Sequence, residues 1–336
     1  MLRPRHLLPL LLLATGATLF STPASAQAIY PTGLPQWDST NKVLFFGHGT
    51  PVQPFRSYSD ETQRGDDIEI FKDFAGIQDA YIDSATAGPD GTTFIAARLI
   101  FAARNVRNLV LTYSSSGELL KTWDPAPQEA RLIAYSQYDD AVFVLGERET
   151  PNNQTPPESP LLVEYSRDGR VLRNMVPAST LKDSADAFYG RSDTGEPALR
   201  VTKDRIFFYA PGNREAVMCD RSGVVLAQRN VSEIVNKIVA DDGFHLVQTH
   251  QVDFNDNGDI VLELLLSHGF DSVLEVVRIN IKSGESAIVH KSYPGPPMAF
   301  IGVKDNQYLY LAYAHDLLIQ SSESQDPLPL SAKRTE

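Results

Sequence analysis

Two series of strand–turn–strand units alternate along this chain at nearly one period, which decides its fold class before any single residue is weighed. In the first series a polar turn introduces a short apolar run. Asn41 precedes KVLFF, Asp90-Gly91 precedes TTFIAA, and Asp139-Asp140 precedes AVFVLG. Asp204 precedes RIFFYA, Asn257-Gly258 precedes DIVLELLL, and Asn306 precedes QYLYLAYA. From Asn41 through Asp90, Asp140, Asp204 and Asn257 to Asn306 the spacings are 49, 50, 64, 53 and 49. These runs are rich in Val, Ile, Phe and Tyr and too short for helices, so they read as strands.

The second series runs out of phase with the first. LVLTYSSSGELLKTW turns at Gly117, LLVEYSRDGRVLRNM at Gly169, AVMCDRSGVVLAQ at Gly223, and VVRINIKSGESAIVH at Gly284. Gly65 in FRSYSDETQRGDDIEIF begins the series, and its spacings are 52, 52, 54 and 61. A tight hairpin favours a residue that accepts positive φ at little cost, hence the glycines. Two interleaved hairpin series give four strands per repeat, here A to D in chain order. Such a unit leaves its edges open, and radial repetition around an axis is one way to protect them.

The expected architecture is therefore all-β, a six-bladed propeller of four-stranded antiparallel blades. Five blades plus an N-terminal extension is the alternative, because the first repeat is the least regular. Six A–B hairpins against five C–D glycines predict that the last blade lacks its own outer strand, with Ala28–Pro31 placed to clasp it. Glu147–Pro160 and Ala178–Pro197 read as long loops, Pro294–Pro297 as a stiff link, and Val231–Val239 as a short helix.

Turn motifs such as PDGTTFIAA (Pro89–Ala97) and YSRDGRVLR (Tyr165–Arg173) resemble those of the secreted bacterial six-bladed propellers of the NHL-type and TolB-like group. The resemblance covers nearly all of the chain after its leader. That group hosts carriers, scaffolds, lyases and hydrolases, so the likeness implies a fold rather than a function.

The first residues have the three parts of an export signal: Arg3 and Arg5, an apolar Leu7–Phe20, and the small-x-small site Ala24-Ser25-Ala26. The apolar run is shorter than the roughly 20 residues a membrane span needs, and it contains Pro9 and Gly16. We expect residues 1–26 to be cleaved, 27–320 to form one propeller domain, and 321–336 to be a disordered tail. No second apolar segment is long enough to span a bilayer, and a periplasmic or extracellular location follows. The mature chain would carry 28 basic and 42 acidic residues, a net charge of −14. With no Lys/Arg cluster, this balance argues against nucleic acid and anionic membranes as partners. Cys219 is the single cysteine, so no intrachain disulfide is available.

In an antiparallel four-stranded blade the B–C loops and D–A links emerge on one face, and both tight hairpins on the other. Three histidines follow strand B: His48, His268 and His315, in the first, fifth and sixth blades. Those blades are neighbours once the ring closes, so matched register would let the imidazoles share a divalent metal such as zinc. Solvated loop histidines are the competing reading, since strand B is not innermost. Asp253-x-Asn255-x-Asn257-Gly258 has the oxygen spacing of a calcium loop, but Val261 and Glu263 break the pattern and an A–B turn accounts for it. Ser39–Lys42 and Ser179–Lys182 match S-x-x-K without the helical setting that a serine nucleophile requires. Cys219 reads as a buried strand residue. Asn153 and Asn230 open glycosylation sequons that matter only in a eukaryotic secretory pathway.

Arg98, Arg104, Glu147 and Arg148 follow strand B in other blades and mark a polar ligand-binding face shared with the histidines. The expected function is a binding or scaffolding module for a protein, peptide or glycan partner. A metal-assisted lyase or hydrolase on the same face is the alternative, and an envelope component working within a complex is a third reading.

Overall fold

The apolar runs that follow the polar turns are strands, and each is the second strand of a sheet. The computed structural model describes residues 36–329, apart from 52, 59–66, 103–104, 149–154, 183–186, 189–192, 242, 270, 293–297, 313–316 and 321–327. The expected signal at 1–26, the clasp at Ala28–Pro31 and the Gly65 turn lie outside the described residues.

The first sheet orders β1 (Gln36–Asp38), β2 (Val43–Phe46) and β3 (Arg56–Tyr58), with an isolated antiparallel bridge between Phe55 and Ile68 beside it. The second holds β4 (Ile77–Ala87), β5 (Thr93–Phe101), β6 (Asn105–Tyr113) and β7 (Leu119–Trp123). The third holds β8 (Gln128–Ser136), β9 (Ala141–Arg148), β10 (Pro160–Ser166) and β11 (Val171–Pro177). The fourth holds β12 (Ala198–Val201), β13 (Arg205–Ala210), β14 (Glu215–Asp220) and β15 (Val225–Asn230). The fifth holds β16 (His245–Phe254), β17 (Asp259–His268), β18 (Asp271–Asn280) and β19 (Ser286–Ser292). The sixth holds β20 (Met298–Lys304), β21 (Gln307–Ala312), β22 (Leu317–Gln320) and β23 (Leu328–Pro329). Among the described residues two α-helices stand between sheets: α1 (Ile70–Asp73) and α2 (Ser232–Asp241), the latter at the expected Val231–Val239.

One expectation needs correcting. The last blade does not lack an outer strand on its own side: β23 pairs antiparallel with β22, and it comes from the stretch read as a disordered tail. Two residues are too few to leave a strand pattern in the sequence.

Every pairing within the sheets is antiparallel, and the innermost strands close a ring. Strand β1 meets β4, β4 meets β8, β8 meets β12, β12 meets β16, β16 meets β20, and β20 returns to β1. The apolar core follows the same order, one cluster between each pair of neighbouring sheets. Phe143 and Leu145 pack against Ile206 and Phe208 between the third and fourth. Leu44 and Phe46 pack against Ile301 and Leu309, between the sixth and the first. This is a six-bladed β-propeller. Strands such as β9, buried from Ala141 through Glu147, read as continuous apolar runs because both faces of a blade are covered by its neighbours.

The C–D glycines serve these interfaces as well as their turns. Gly169 and Gly223 hold φ of +84° and +90°. A Cβ on Gly169 would lie 2.5 Å from the Trp123 ring, and one on Gly223 would lie 2.8 Å from Met175 Cβ. Each of these hairpins thus leans on the outer strand of the preceding blade.

The hairpin face of the channel is filled by the turn that carries the first S-x-x-K match. Asp38 accepts from the backbone N–H of Thr40, Asn41 and Ala87, and from the Thr86 hydroxyl at 2.7 Å. Asn41 Nδ2 donates to the Tyr135 carbonyl at 3.1 Å. Ser39 donates to the Leu199 carbonyl at 3.3 Å, Thr40 Oγ1 accepts from Val201 N at 3.0 Å, and Lys42 pairs with Asp305. Ser39 also bonds the Asp253 carboxylate. One five-residue turn is therefore tied to all five other blades. The serine and lysine of that motif are structural.

Candidate functional site

Strand parity leaves the opposite face open. There the channel widens into a cavity of about 1190 Å³ walled by all six blades. Gln36, His48 and Gln53 come from the first blade, Asp79 to Ala85 with Arg98 from the second, and Leu132 and Ile133 from the third. Gly195 to Leu199 precede and begin the innermost strand of the fourth. Gln248 to Asp253 with Glu263 belong to the fifth, and Phe300 and Ile301 to the sixth. Asp38, Ser39 and Asp253 lie at its inner end, beside the turn that fills the other face.

The innermost strands do not run as regular ladders here. Pairing shifts by one residue between Ile82 and Ser84 on β4, and between Ala130 and Leu132 on β8. The same shift occurs between Thr249 and Gln251 on β16, and between Phe300 and Gly302 on β20. The extra residues are Asp83, Arg131, His250 and Ile301. A bulge leaves its added residue out of the ladder and re-aims it, and three of these four residues carry ionisable groups around one channel.

Asp83 is clamped by Arg98, with Nε to Oδ2 at 2.9 Å and Nη2 to Oδ1 at 2.6 Å. Arg131, buried, places Nη1 4.0 Å from Asp83 and Nη2 2.9 Å from Glu129. Burial pushes the Asp83 carboxyl above its ordinary value, against the opposing pull of Arg98 and Arg131. The Arg98 guanidinium also stands 5.6 Å from the centre of the Tyr81 ring, a side chain half exposed at the cavity wall.

On the other side Glu263 is 1% exposed and accepts from Phe300 N at 3.0 Å through Oε1. Among the described residues its Oε2 has no hydrogen-bond partner, and His250 Nδ1 lies 3.5 Å away. Asp253, deeper still, accepts from Val303 N at 2.7 Å; burial pushes its carboxyl up to about 6 despite the charge of Arg200. Arg200 is itself buried and bonds the Phe254 carbonyl and Asp256.

Of the residues that the sequence singled out, Arg98 and His48 line this cavity. Glu147 does not: it is buried and accepts from Phe188 N at 3.0 Å. Arg148 is exposed at the end of β9, opposite Gln128. His268 stands at the end of β17, with Nδ1 2.8 Å from the Gly243 carbonyl and its ring edge-on to Phe244. It is not among the residues lining the cavity that holds His48. Arg104 and His315 lie outside the described residues. No group of three His, Cys, Asp or Glu side chains suited to a metal ion occurs among the described residues. The oxygens of the calcium-like loop are used within its turn and by the preceding blade: Asn255 Oδ1 accepts from Asp259 N at 2.8 Å, and Asp256 pairs with Arg200 of the fourth blade. Cys219 is buried, as expected. Asp83 and His250 carried no motif in the sequence, and Glu263 entered there only as a mismatch to the calcium-loop pattern. Their shared trace there is an ionisable residue interrupting an otherwise strand-like segment, as in YIDSA, QTHQV and VLELL.

No family model and no curated protein sequence matches the chain. Solved structures do. An exported protein of Bacteroides fragilis, described as putative, is 9% identical with a TM-score of 0.47, over 85% of this chain and 81% of its own. The Cps50 beta-propeller domain of Myceliophteria thermophila is 9% identical with a TM-score of 0.46, over 88% and 84%. A chain of a nidogen/laminin complex is 11% identical with a TM-score of 0.45, over 85% and 92%. These likenesses carry no function to this chain. Among the described residues, no helix is long and apolar enough to cross a membrane.

Proposed function

We propose that this chain is an exported propeller of the NHL-type and TolB-like group, acting as a binding module whose partner inserts a peptide or glycan segment into the channel mouth. One observation carries the reading: a cavity of about 1190 Å³ that all six blades wall and that the Asp38–Lys42 turn backs on the opposite face. A concave, largely pre-formed site with a few convergent polar groups is the usual geometry of recognition. Export is supported by the leader-like pattern of residues 1–26. Arg98, paired to Asp83 and packed near Tyr81, gives the mouth a fixed polar edge.

The test is a panel of short peptides and oligosaccharides measured by calorimetry against the native protein and a Gln248→Trp variant. Gln248 lines the cavity and is half-buried, so an indole there narrows the mouth. Ligands of the mouth should weaken by about tenfold or more, the effect of one lost good contact. Ligands that bind both proteins equally would place recognition elsewhere and overturn the reading.

A further inference from the structure

The charge of the cavity wall narrows what can enter it. Asp79, Asp83, Glu196 and Glu263 line the wall, with Asp38 and Asp253 at its inner end. Among the described lining residues Arg98 is the one guanidinium, and it is spent on Asp83 through two hydrogen bonds. Arg131 and Arg200, behind the wall, are held by Glu129 and Asp256. A low-dielectric cleft lined by one sign of charge focuses its field and concentrates counter-ions.

An acidic wall alone would be no more than a solvated surface; Glu263 makes it a site. Its side chain is all but fully buried, yet one carboxylate oxygen has no hydrogen-bond partner among the described residues. A buried acceptor left unpaired costs free energy that a donor would recover. His250 Nδ1 stands at 3.5 Å, longer than an ordinary hydrogen bond. Both residues line the cavity, which sets Glu263 beside the space that a ligand entering the mouth would fill. Aromatic surface is also present: Tyr81 is half exposed on the wall, and Trp37 lines the cavity too. Carboxylate oxygens and aromatic faces lining one cavity suit an alkylammonium or guanidinium group, which donates charge-assisted hydrogen bonds to the first and is held by cation–π attraction to the second.

We infer that the channel mouth binds a cationic ligand, an alkylammonium or guanidinium group that donates to Glu263. The inference rests on the mouth being the binding site. The charged group arrives either on a basic peptide or as a free polyamine.

Calorimetry on the full mature chain tests it with five probes: pentalysine, spermidine, pentaglutamate, a neutral Gly-Ser pentapeptide and maltopentaose. Pentalysine or spermidine should bind, and the other three should not. Glu263→Gln keeps an oxygen for Phe300 N but removes the charge, and should weaken the cation by about tenfold or more. Glu118→Gln makes the same charge change on an exposed turn of the opposite face, and should leave affinity within about twofold, as expected for a screened distant charge. Pentalysine binding more tightly than spermidine assigns the ligand to a peptide; spermidine binding as tightly assigns it to a polyamine. The inference is overturned if Glu263→Gln has no effect, or if Glu118→Gln weakens binding as much. Maltopentaose or the neutral peptide binding, with loss in Gln248→Trp, would overturn cation selectivity and leave the mouth as the site. Probe binding insensitive to Gln248→Trp, or no binding by any probe, would overturn both.

Discussion

Thr86→Val should be among the most destabilising conservative substitutions in this chain. Thr86 is fully buried on the innermost strand of the second blade. Its hydroxyl donates to Asp38 at 2.7 Å while accepting from Tyr135 N at 2.9 Å and Asn41 Nδ2 at 3.0 Å. One oxygen thus joins three consecutive blades. Valine keeps the shape and the strand preference, so nothing but the hydroxyl is lost. Its removal leaves the Tyr135 N–H without that acceptor and withdraws a donor from a buried carboxylate. Orphaning a buried backbone donor costs about 1–3 kcal/mol, and a hydrogen bond to a charged group is worth about 1.5–3. Asp38 keeps its bonds from Asn41 and Ala87, which places the total nearer the low end, at about 3–4 kcal/mol. Urea unfolding followed by tryptophan fluorescence measures the loss, and an unchanged m-value would show that the same cooperative unit unfolds. Amide exchange at Tyr135 should accelerate more than at Leu111, which is buried between the first and second blades but outside this network. A loss below about 0.5 kcal/mol, within the range of ordinary surface substitutions, would refute the view that the turn latches the ring through buried hydrogen bonds.

Other expectations follow from the same geometry. Gly223→Ala should cost about 2–3 kcal/mol, because φ of +90° is strained for alanine and the new Cβ would press on Met175; thermal unfolding reads this, and a neutral result would mean the hairpin shifts freely. Asp253 titrates about two units higher in the folded chain, near 6 against 3.8, so the folded state holds its proton more tightly. Its contribution is therefore fully present below about pH 4 and is lost as pH rises through 6, a change of about 3 kcal/mol. Asp253→Asn should flatten stability over that window, and an unchanged profile would remove this carboxyl as the cause. With His268 Nδ1 on the Gly243 carbonyl, His268→Ala should leave the metal content of the purified protein unchanged; stoichiometric zinc lost on that substitution would restore the three-histidine centre.

The parts of the fold that were legible in the sequence are those where one local rule governs a short stretch. Strand B is covered on both faces, so RIFFYA and AVFVLG stand out as apolar runs. The C–D hairpins need positive φ, and Gly117, Gly169, Gly223 and Gly284 supply it. The cavity is built from relations with no local signature. Ser39 and Leu199 are 160 positions apart and meet only because the ring closes. The histidines following strand B were read from matched register, but loop lengths differ between blades, and His268 ends against Gly243 and Phe244 while His48 reaches the cavity. Glu147 looked like a loop charge, yet a backbone N–H from the following linker, that of Phe188, holds it buried. The S-x-x-K turn matched a catalytic pattern by chance and proved to be the hub of the ring.

The bulges explain how one chain satisfies two opposed demands. An innermost strand must keep its apolar side chains between blades, as Ala85, Ile133 and Val252 are kept, while its other residues face a polar channel. A regular ladder ties these two sets together, because every second residue points the same way. Any change in what faces the channel would then have to respect the packing phase of the whole strand. Adding one residue at Asp83, Arg131 and His250 relieves that constraint, since an extra residue lets the ladder resume its register on the far side. The charged group is accommodated without moving the apolar set across the sheet, which a one-residue slip would do. The inner strands of blades two and five thus bring Asp83 and His250 to the cavity wall, and that of blade three sets Arg131 behind it, while the interfaces between blades stay apolar. On the proposed reading of the mouth as the binding site, the bulges at Asp83 and His250, rather than the rim loops, would set what it selects.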